Sequence, residues 1–321
     1  MLLKEAWYND LERKAAVRAE LLCWDPVANE WCDKLRANRS PLPFKRDRLS
    51  IVTWNANGLI TVNITRREVK LRELKHLVSK HDIIFIQELH GNESDHDWLR
   101  ARFSATHRLW TTIDDNPAAG GLATFVAITL IPEGVEPEVE IPIRGRLAMY
   151  DFLFLGNHLK LINMHRIAYN LSMDANFLNP IKQLHDQNLA DSRDMIILAG
   201  DFNMPPLHLP SVTLDGKVIE GSPAMARRWT AALPGFLEIA QPEPTHFAYR
   251  QQTFGVIDRI FTNLDPVAVM DTEIKSGVTR EAVRARSSLA ESDHVPVYAI
   301  WAARRDFQFK VPTWISRSQE Y

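Results

Sequence analysis

The sequence predicts an α/β fold of layered sheets covered by helices. Short apolar runs of strand length recur from Leu49 to Trp301, patterns with helical spacing separate some of them, and the 321-residue chain is 45% hydrophobic, enough for one large core. The runs are LSIVTW, DIIFIQ, GLATFVAITL, MYDFLFL, LKLINM, DMIILAG, VIDRIFT and VPVYAIW, several of them apolar at every position, as in strands buried on both faces. RREVKLRELKHLVSK and MDANFLNPIKQLHDQNLA read as helices, with Pro180 a point where the second bends or restarts.

Ahead of this region, residues 1–37 are rich in Leu, Ala, Glu, Lys and Arg. Trp7, Leu11, Val17, Leu21 and Trp24 fall at helical spacing, which predicts a helical N-terminal extension broken near Pro26. A basic, proline-bearing linker is expected over 38–48, a catalytic domain over 49–303, and a tail or connector over 304–321. No fixed-period repeat or low-complexity segment is visible.

The formal net charge of -2 gives no global field that would advertise nucleic-acid binding, although a local basic face would suffice. Cys23 and Cys32, eight residues apart, fit neither zinc nor redox spacing and read as reduced thiols. The opening MLLKEAWYND reaches charge too soon for a signal peptide, and no apolar run has membrane-spanning length. The expectation is a soluble intracellular protein, not secreted and without membrane contact.

The polar residues are the informative part. Several apolar runs end in groups able to do chemistry: IVTW at Asn55 and Asn57, IIFIQ at Glu88, LINM at His165, and IILAG at Asp201 and Asn203. GVI leads into Asp258, and the last run follows Ser292, Asp293 and His294. Singly, each has a structural reading: Asn55 and Asn57 with Gly58 as turn formers, Glu88 as the point where a strand surfaces, His165 as a hydrogen-bonded histidine. Asp258, within an apolar strand, needs partners if buried. Together they suit metal-assisted phosphodiester hydrolysis. Glu88 and Asn55 are suitable oxygen ligands for a hard cation such as Mg²⁺, with Asn57, Asp201 and Asp293 near enough in type to assist. Asp201 can take a proton from water, Asn203 can donate to a phosphoryl oxygen, and Asp258 can fix the tautomer of His294 and keep it protonated.

At this point the residues resemble the endonuclease/exonuclease/phosphatase, or deoxyribonuclease I-like, superfamily. TWNANGL, IIFIQELH, LINMH, ILAGDFNMPP, VIDRIF and SDHVPV occur in that order over residues 50–302. The resemblance implies a four-layered α/β sandwich, two packed mixed β-sheets flanked by helices, with the site at one edge. It also implies Glu88 as the main metal carboxylate with Asn55, Asp201 and Asn203 on nucleophile and phosphate, Asp258 orienting His294, and Asp293 near the metal. The implied cofactor is Mg²⁺, with Mn²⁺ a substitute. His165 stands where apurinic and most retrotransposon endonucleases carry a tyrosine, and resembles instead the pancreatic nuclease, sphingomyelinases and deadenylases; it could protonate the leaving oxygen or hydrogen-bond the phosphate. Asn57 replaces an aspartate of some apurinic endonucleases, which leaves one metal or two open.

Within the superfamily, PTHFAYRQQTFGVIDRIFTN, with Thr245, and FKVPTWISRSQEY resemble the endonuclease domain of LINE-like non-LTR retrotransposons and the connector that follows it. That branch implies a DNA endonuclease leaving 3′-hydroxyl and 5′-phosphate ends, nuclear and monomeric, here without a reverse transcriptase, with the N-terminal helices available to a protein partner. The alternatives are another phosphodiesterase or phosphatase of the superfamily, or an inactive binding module. Candidate substrate contacts are Arg166 and Tyr169 beyond His165, Thr245, Ser292, and Arg284 and Arg286 in a basic stretch that reads equally as an exposed helix face.

Overall fold

The computed structural model describes residues 22–25, 30–33, 48–131, 133–154, 157–167, 174–188, 195–206, 210–219, 222–233, 236–239, 244–263, 269–271 and 292–302. The chain divides into two compact units, Met1–Arg46 and Asp47–Tyr321. In the first, β1 (Leu22–Asp25) and β2 (Glu30–Asp33) pair antiparallel with Trp24 opposite Trp31. At these two segments this corrects the helix expected across the N-terminal extension. Trp24 and Trp31 favour a strand, and Pro26 cannot carry a helix through the sequence between them. Residues 1–21 and 34–47 lie outside the described residues.

The second unit is built on two six-stranded mixed sheets. The first contains β3 (Arg48–Asn55), β4 (Ile83–Gln87), β5 (His107–Thr112), β6 (Leu122–Ala127), β17 (Val269–Asp271) and β18 (Val297–Ala302), in the order β17-β18-β3-β4-β6-β5. The second contains β7 (Glu138–Ile143), β8 (Leu147–Phe154), β9 (Asn157–His165), β10 (Met195–Asp201), β13 (Leu237–Glu238) and β16 (Asp258–Thr262), in the order β13-β16-β10-β9-β8-β7. A smaller sheet joins β11 (Ser211–Thr213), β12 (Val218–Ile219), β14 (His246–Ala248) and β15 (Thr253–Gly255).

Helices α1 (Ile64–Lys80) and α2 (Glu93–Phe103) cover the first sheet, and α3 (Asp174–Asn188) and α4 (Pro223–Ala232) the second. Leu71, Leu74, Leu77 and Val78 of α1 form an apolar stripe against Val52, Trp54, Ile84 and Ile86. Phe177 and Ile181 of α3, with Met225 and Trp229 of α4, pack on Ile162, Met164, Ile196 and Leu198. The four-layered α/β sandwich is therefore realised. α3 runs through Pro180 as one helix. α2 and α4 were not among the expected helices, although both are signalled locally. Asn92 and Asp95 form a capping box ahead of α2, and Ser222 caps α4 with Pro223 in its first turn.

Strand alternation then settles what faces the gap between the sheets. Val52 and Trp54 of β3, Ile84 and Ile86 of β4, Ile162 and Met164 of β9, and Ile196 and Leu198 of β10 face the helices. Their neighbours Ile51, Phe85, Leu161 and Ile197, all fully buried, therefore face the opposite sheet. The same parity turns Thr53, Asn55, Gln87, Asn163, His165 and Asp201 inward. Midway along the gap, Asn163 bridges the sheets. It accepts from Gln87 Nε2 at 2.8 Å and donates to Ala123 O at 3.0 Å and Thr124 Oγ1 at 3.1 Å, while Gln87 also bonds Thr53 Oγ1. Every group in this polar patch has a partner, so it fixes how the sheets register without leaving a bare dipole in the core.

Removing Asn163 would strand several of those groups out of water. Asn163→Ala is expected to lower the unfolding free energy by about 2–4 kcal/mol, read as a lower urea midpoint at unchanged slope. A midpoint within error of the parent would show that the bridge does not hold the sheets together.

Candidate active site

Strand polarity brings the chemistry to one edge. β3 and β4 are parallel, as are β9 and β10, so Asn55, Gln87, His165 and Asp201 lie at the same end of their strands. β16 and β18 run the other way, and there Asp258 begins β16 while Asp293 and His294 precede β18. Across one sheet Asp201 is registered with His165 on one side and Asp258 on the other.

Asp201 is the focus. Its carboxylate is 1% exposed. From the facing sheet Asn55 Nδ2 donates to Asp201 Oδ2 at 2.8 Å and to Glu88 Oε1 at 3.0 Å. His165 Nε2 and His294 Nε2 lie 3.9 and 3.8 Å from the same Asp201 oxygen. Asn203 closes the turn, its backbone N–H on Asp201 Oδ1 at 2.7 Å and its side-chain amide on Arg166 O at 2.7 Å. Gly200, the residue before Asp201, lets β9 approach closely here. A Cβ there would sit 1.8 Å from Met164 O.

His294 is held by Asp258, with Nδ1 2.9 and 3.1 Å from the two carboxylate oxygens. That hydrogen bond leaves Nε2–H directed at Asp201. Burial works against its charge, but Asp258 and Asp201 outweigh it and raise the pKa of His294 to about 10. Burial, together with Asp258, raises that of Asp201 to about 7 against the pull of His294 and the amide donors. Glu88 goes the other way: burial opposes ionisation, yet His90, His165, Asn55 and His294 bring its pKa down to about 2. Asp293, facing His246, His294 and Asn57, is held well below the usual carboxylate range despite its burial. Burial, with Arg146 and neighbouring imidazoles, lowers His165 to about 3 against the attraction of Glu88, so this ring is neutral.

The expected metal group is also together: Asn57 Nδ2 donates to Asp293 Oδ1 at 2.8 Å, and Asn57 N donates to Asn55 Oδ1 at 2.9 Å. Glu88, ionised and partly open to solvent, is a hard oxygen ligand of the kind a divalent cation takes. Asn55 faces it with its amide nitrogen, so ligation by its oxygen at the same ion requires that amide to turn over. Two further groups have metal-compatible spacing, His246 with Asp293 and His294, and Asp201 with Asp258 and His294.

Three expected substrate contacts have other roles. Arg166 is 1% exposed and turned away from the gap toward α3 and α4, where it meets Asp174 Oδ1 at 2.7 Å and Met225 Sδ at 2.9 Å; a buried guanidinium needs such a partner and cannot reach a ligand at the edge. Thr245 is fully buried and its Oγ1 accepts the backbone N–H groups of Ile257 and Asp258, both at 3.0 Å. Ser292 is buried, donating to Asn55 O at 2.6 Å and accepting from His294 N at 3.1 Å. Thr245 and Ser292 thus pin the segments that carry Asp258 and His294. Tyr169, Arg284 and Arg286 lie outside the described residues.

The structure adds residues that the sequence reading missed. His246 stacks on His294 with ring centroids 4.3 Å apart, and its Nε2 lies 3.6 Å from Asp293. Lys70 caps the carbonyls of Asn57 and Gly58, and burial lowers its pKa to about 8. A lysine in the apolar stripe of α1 was a legible sign of such a role. His246 had no comparable signal beyond its place beside Thr245.

A family model described as Endonuclease/Exonuclease/phosphatase family matches residues 52–294, most of the chain and the whole span from β3 to His294. The chain belongs to this family. The family's phosphodiester-hydrolase and nuclease chemistry fits the site just described. Solved structures share its fold. AP endonuclease LMAP from Leishmania major is 13% identical, with TM-score 0.59, covering 80% of this chain and 88% of its own. A humanised D. rerio TDP2 is 17% identical, with TM-score 0.53 and coverage of 79% and 99%. The 3′-5′ exonuclease NExo from Neisseria meningitidis is 19% identical, with TM-score 0.54 and coverage of 79% and 100%. No curated protein sequence matches. Among the described residues, no helix is long and apolar enough to cross a membrane.

Because the folded pKa of His294 lies above its unfolded value of about 6.5, its stabilisation is complete below that value and is lost as pH rises through about 10. Asp258→Asn should bring that loss to lower pH. Histidine ring resonances followed against pH, with unfolding free energies at the same points, test this. An unmoved His294 titration would assign its charge to another partner.

Proposed function

We propose that this protein is a metal-dependent phosphodiesterase that nicks DNA, leaving a 3′-hydroxyl and a 5′-phosphate. The observation that carries the proposal is the convergence of Asn55, His165 and His294 on one buried oxygen of Asp201, at 2.8, 3.9 and 3.8 Å. A water in that space attacks phosphorus in line with the departing 3′ oxygen and gives its proton to Asp201, whose raised pKa near neutrality suits a base. His294, charged through the neutral range, offsets the charge that builds on the phosphoryl oxygens, and neutral His165 donates a hydrogen bond to the same group. Glu88, Asp293, Asn57 and a turned Asn55 would hold a divalent cation, Mg²⁺ or its substitute Mn²⁺. When bound, that cation would offset the negative charge that builds on the departing 3′ oxygen, which takes up a proton from solvent.

DNA as substrate is supported by structures of the same fold whose descriptions include it: D. rerio TDP2 complexed with single-strand DNA product, and the Neisseria 3′ phosphatase NExo bound to product DNA hairpin. Within that class we favour a retrotransposon-type endonuclease, and with it a nuclear location, on the sequence alone: the Thr245-bearing segment leading to the Ser292 motif, and FKVPTWISRSQEY.

Purified protein should convert supercoiled plasmid to nicked circles with Mg²⁺ and stop on addition of EDTA. The nicks should be extendable by a DNA polymerase. Glu88→Ala and His294→Ala should each lower the rate by about 10²–10⁴-fold. Nicking unchanged in Glu88→Ala would overturn the assignment. Turnover of polyadenylated RNA, sphingomyelin or inositol phosphates, with none on plasmid or abasic duplex, would select another branch. The rate should rise with pH through about 7 as Asp201 ionises and fall through about 10 as His294 loses its proton.

A further inference from the structure

His165 faces the reacting space through Nε2, and its other ring nitrogen meets a group the proposed chemistry does not use. Arg146, just before β8, has Nη1 2.9 Å from His165 Nδ1. A guanidinium has donors only and stays charged at any relevant pH, so at this contact Arg146 donates and Nδ1 accepts. Arg146 is fixed in turn, its Nε donating to Asp114 Oδ2 at 2.9 Å, with side chains 16% and 17% exposed for the arginine and the aspartate. The backbone is shaped around this chain of groups. A Cβ on Gly120 would fall 2.3 Å from Asp114 Oδ2 and 2.9 Å from Arg146 Nε, and one on Gly145 would fall 2.6 Å from Asp114 Cα. Both glycines hold positive φ, +62° and +66°. The Arg146 carbonyl also accepts the His165 backbone N–H at 2.8 Å, which ties ring and guanidinium to one frame.

We propose that Arg146, braced by Asp114 in a slot left by Gly120 and Gly145, is a positioning residue that locks His165 as the Nε2–H tautomer, a fixed hydrogen-bond donor to the substrate phosphate. This rests on the phosphodiesterase reading for the identity of the acceptor; the tautomer does not. The arrangement also decides between two roles the sequence left open for His165. A ring whose Nδ1 lone pair is occupied by an arginine donor has one proton, on Nε2. Giving it away to a leaving oxygen would produce an anionic imidazole, so His165 holds its proton and presents it. His294, with an aspartate on Nδ1, is the opposite case, and the pair divides the labour: one imidazole carries charge and the other a fixed dipole.

The test is ¹⁵N ring spectroscopy of the full chain with ¹⁵N-histidine, alongside plasmid nicking. His165 in the parent should show an unprotonated Nδ1 and a protonated Nε2. Arg146→Met should give tautomer exchange or reversal and lower kcat by about 10–100-fold with a smaller change in KM. Arg146→Lys, which keeps a cationic donor, should retain the tautomer and recover part of the rate. Asp114→Asn, which leaves the guanidinium but weakens its brace, should fall between them. An Nδ1–H tautomer in the parent, or an Arg146→Met ring indistinguishable from the parent, would overturn the proposal. The expected tautomer in a protein that does not nick DNA would leave the positioning intact and remove the proposed function.

Discussion

A carboxylate taken out of water must find partners, and Asp201 draws them from both sheets at once. Its own sheet supplies the neighbouring strands that carry His165 and Asp258, and the facing sheet supplies Asn55. Because the sheets meet at this oxygen, the packing of the core and the geometry of the site are one problem. The apolar gap of Ile51, Phe85, Leu161 and Ile197 sets the sheet spacing, Asn163 sets the register, and the site is what remains when the gap reaches solvent. Displacement of any one support acts on Asp201, which explains why Thr245 and Ser292 spend their hydroxyls on backbone groups.

Local backbone conformation follows the same logic. Asn57, Glu88, His90 and Asn203 all hold positive φ without being glycine, between +47° and +57°, and all lie in or beside the site. Such conformations cost about 1 kcal/mol or more each and persist where surroundings over-determine them. The surroundings are visible: Lys70 holds the carbonyl of Asn57, Gly58 and Leu59 donate to Glu88 O, His90 donates to Gly120 O, and Asn203 is fixed to Asp201 and Arg166. The two helix-covered cores carry this local strain.

Much of this was legible in the sequence, for a physical reason. Buried strands are written as contiguous apolar runs, and the polar residue that ends a run is written next to it, so the runs closing at Asn55, Glu88, His165 and Asp201 announced the fold and the edge at which these polar groups gather. What could not be read was direction. Arg166 follows His165 and looked like a substrate contact, but strand alternation turns it away, toward Asp174. Short strands such as β11 and β14 hold too few residues for a period to show, which hid His246. Arg146 was invisible for a different reason: its role lies in what its donors touch, and that depends on two turns, one carrying the adjacent Gly145 and the other Gly120 from an earlier part of the chain. In the N-terminal unit, a composition suited to helix misled at Leu22–Asp25 and Glu30–Asp33, where Trp24 and Trp31 sit opposite each other in paired strands.

The Asn55–Asp201 hydrogen bond has a mechanical meaning. It spans the seam between two bodies that share no backbone ladder, so its 2.8 Å length is a gauge of shear between them. Sliding one sheet past the other by a single residue, about 3.3 Å, would part it entirely. Forces that deform the sandwich without unfolding it, such as pressure or a tether pulling on one sheet, should therefore silence the protein well before they denature it.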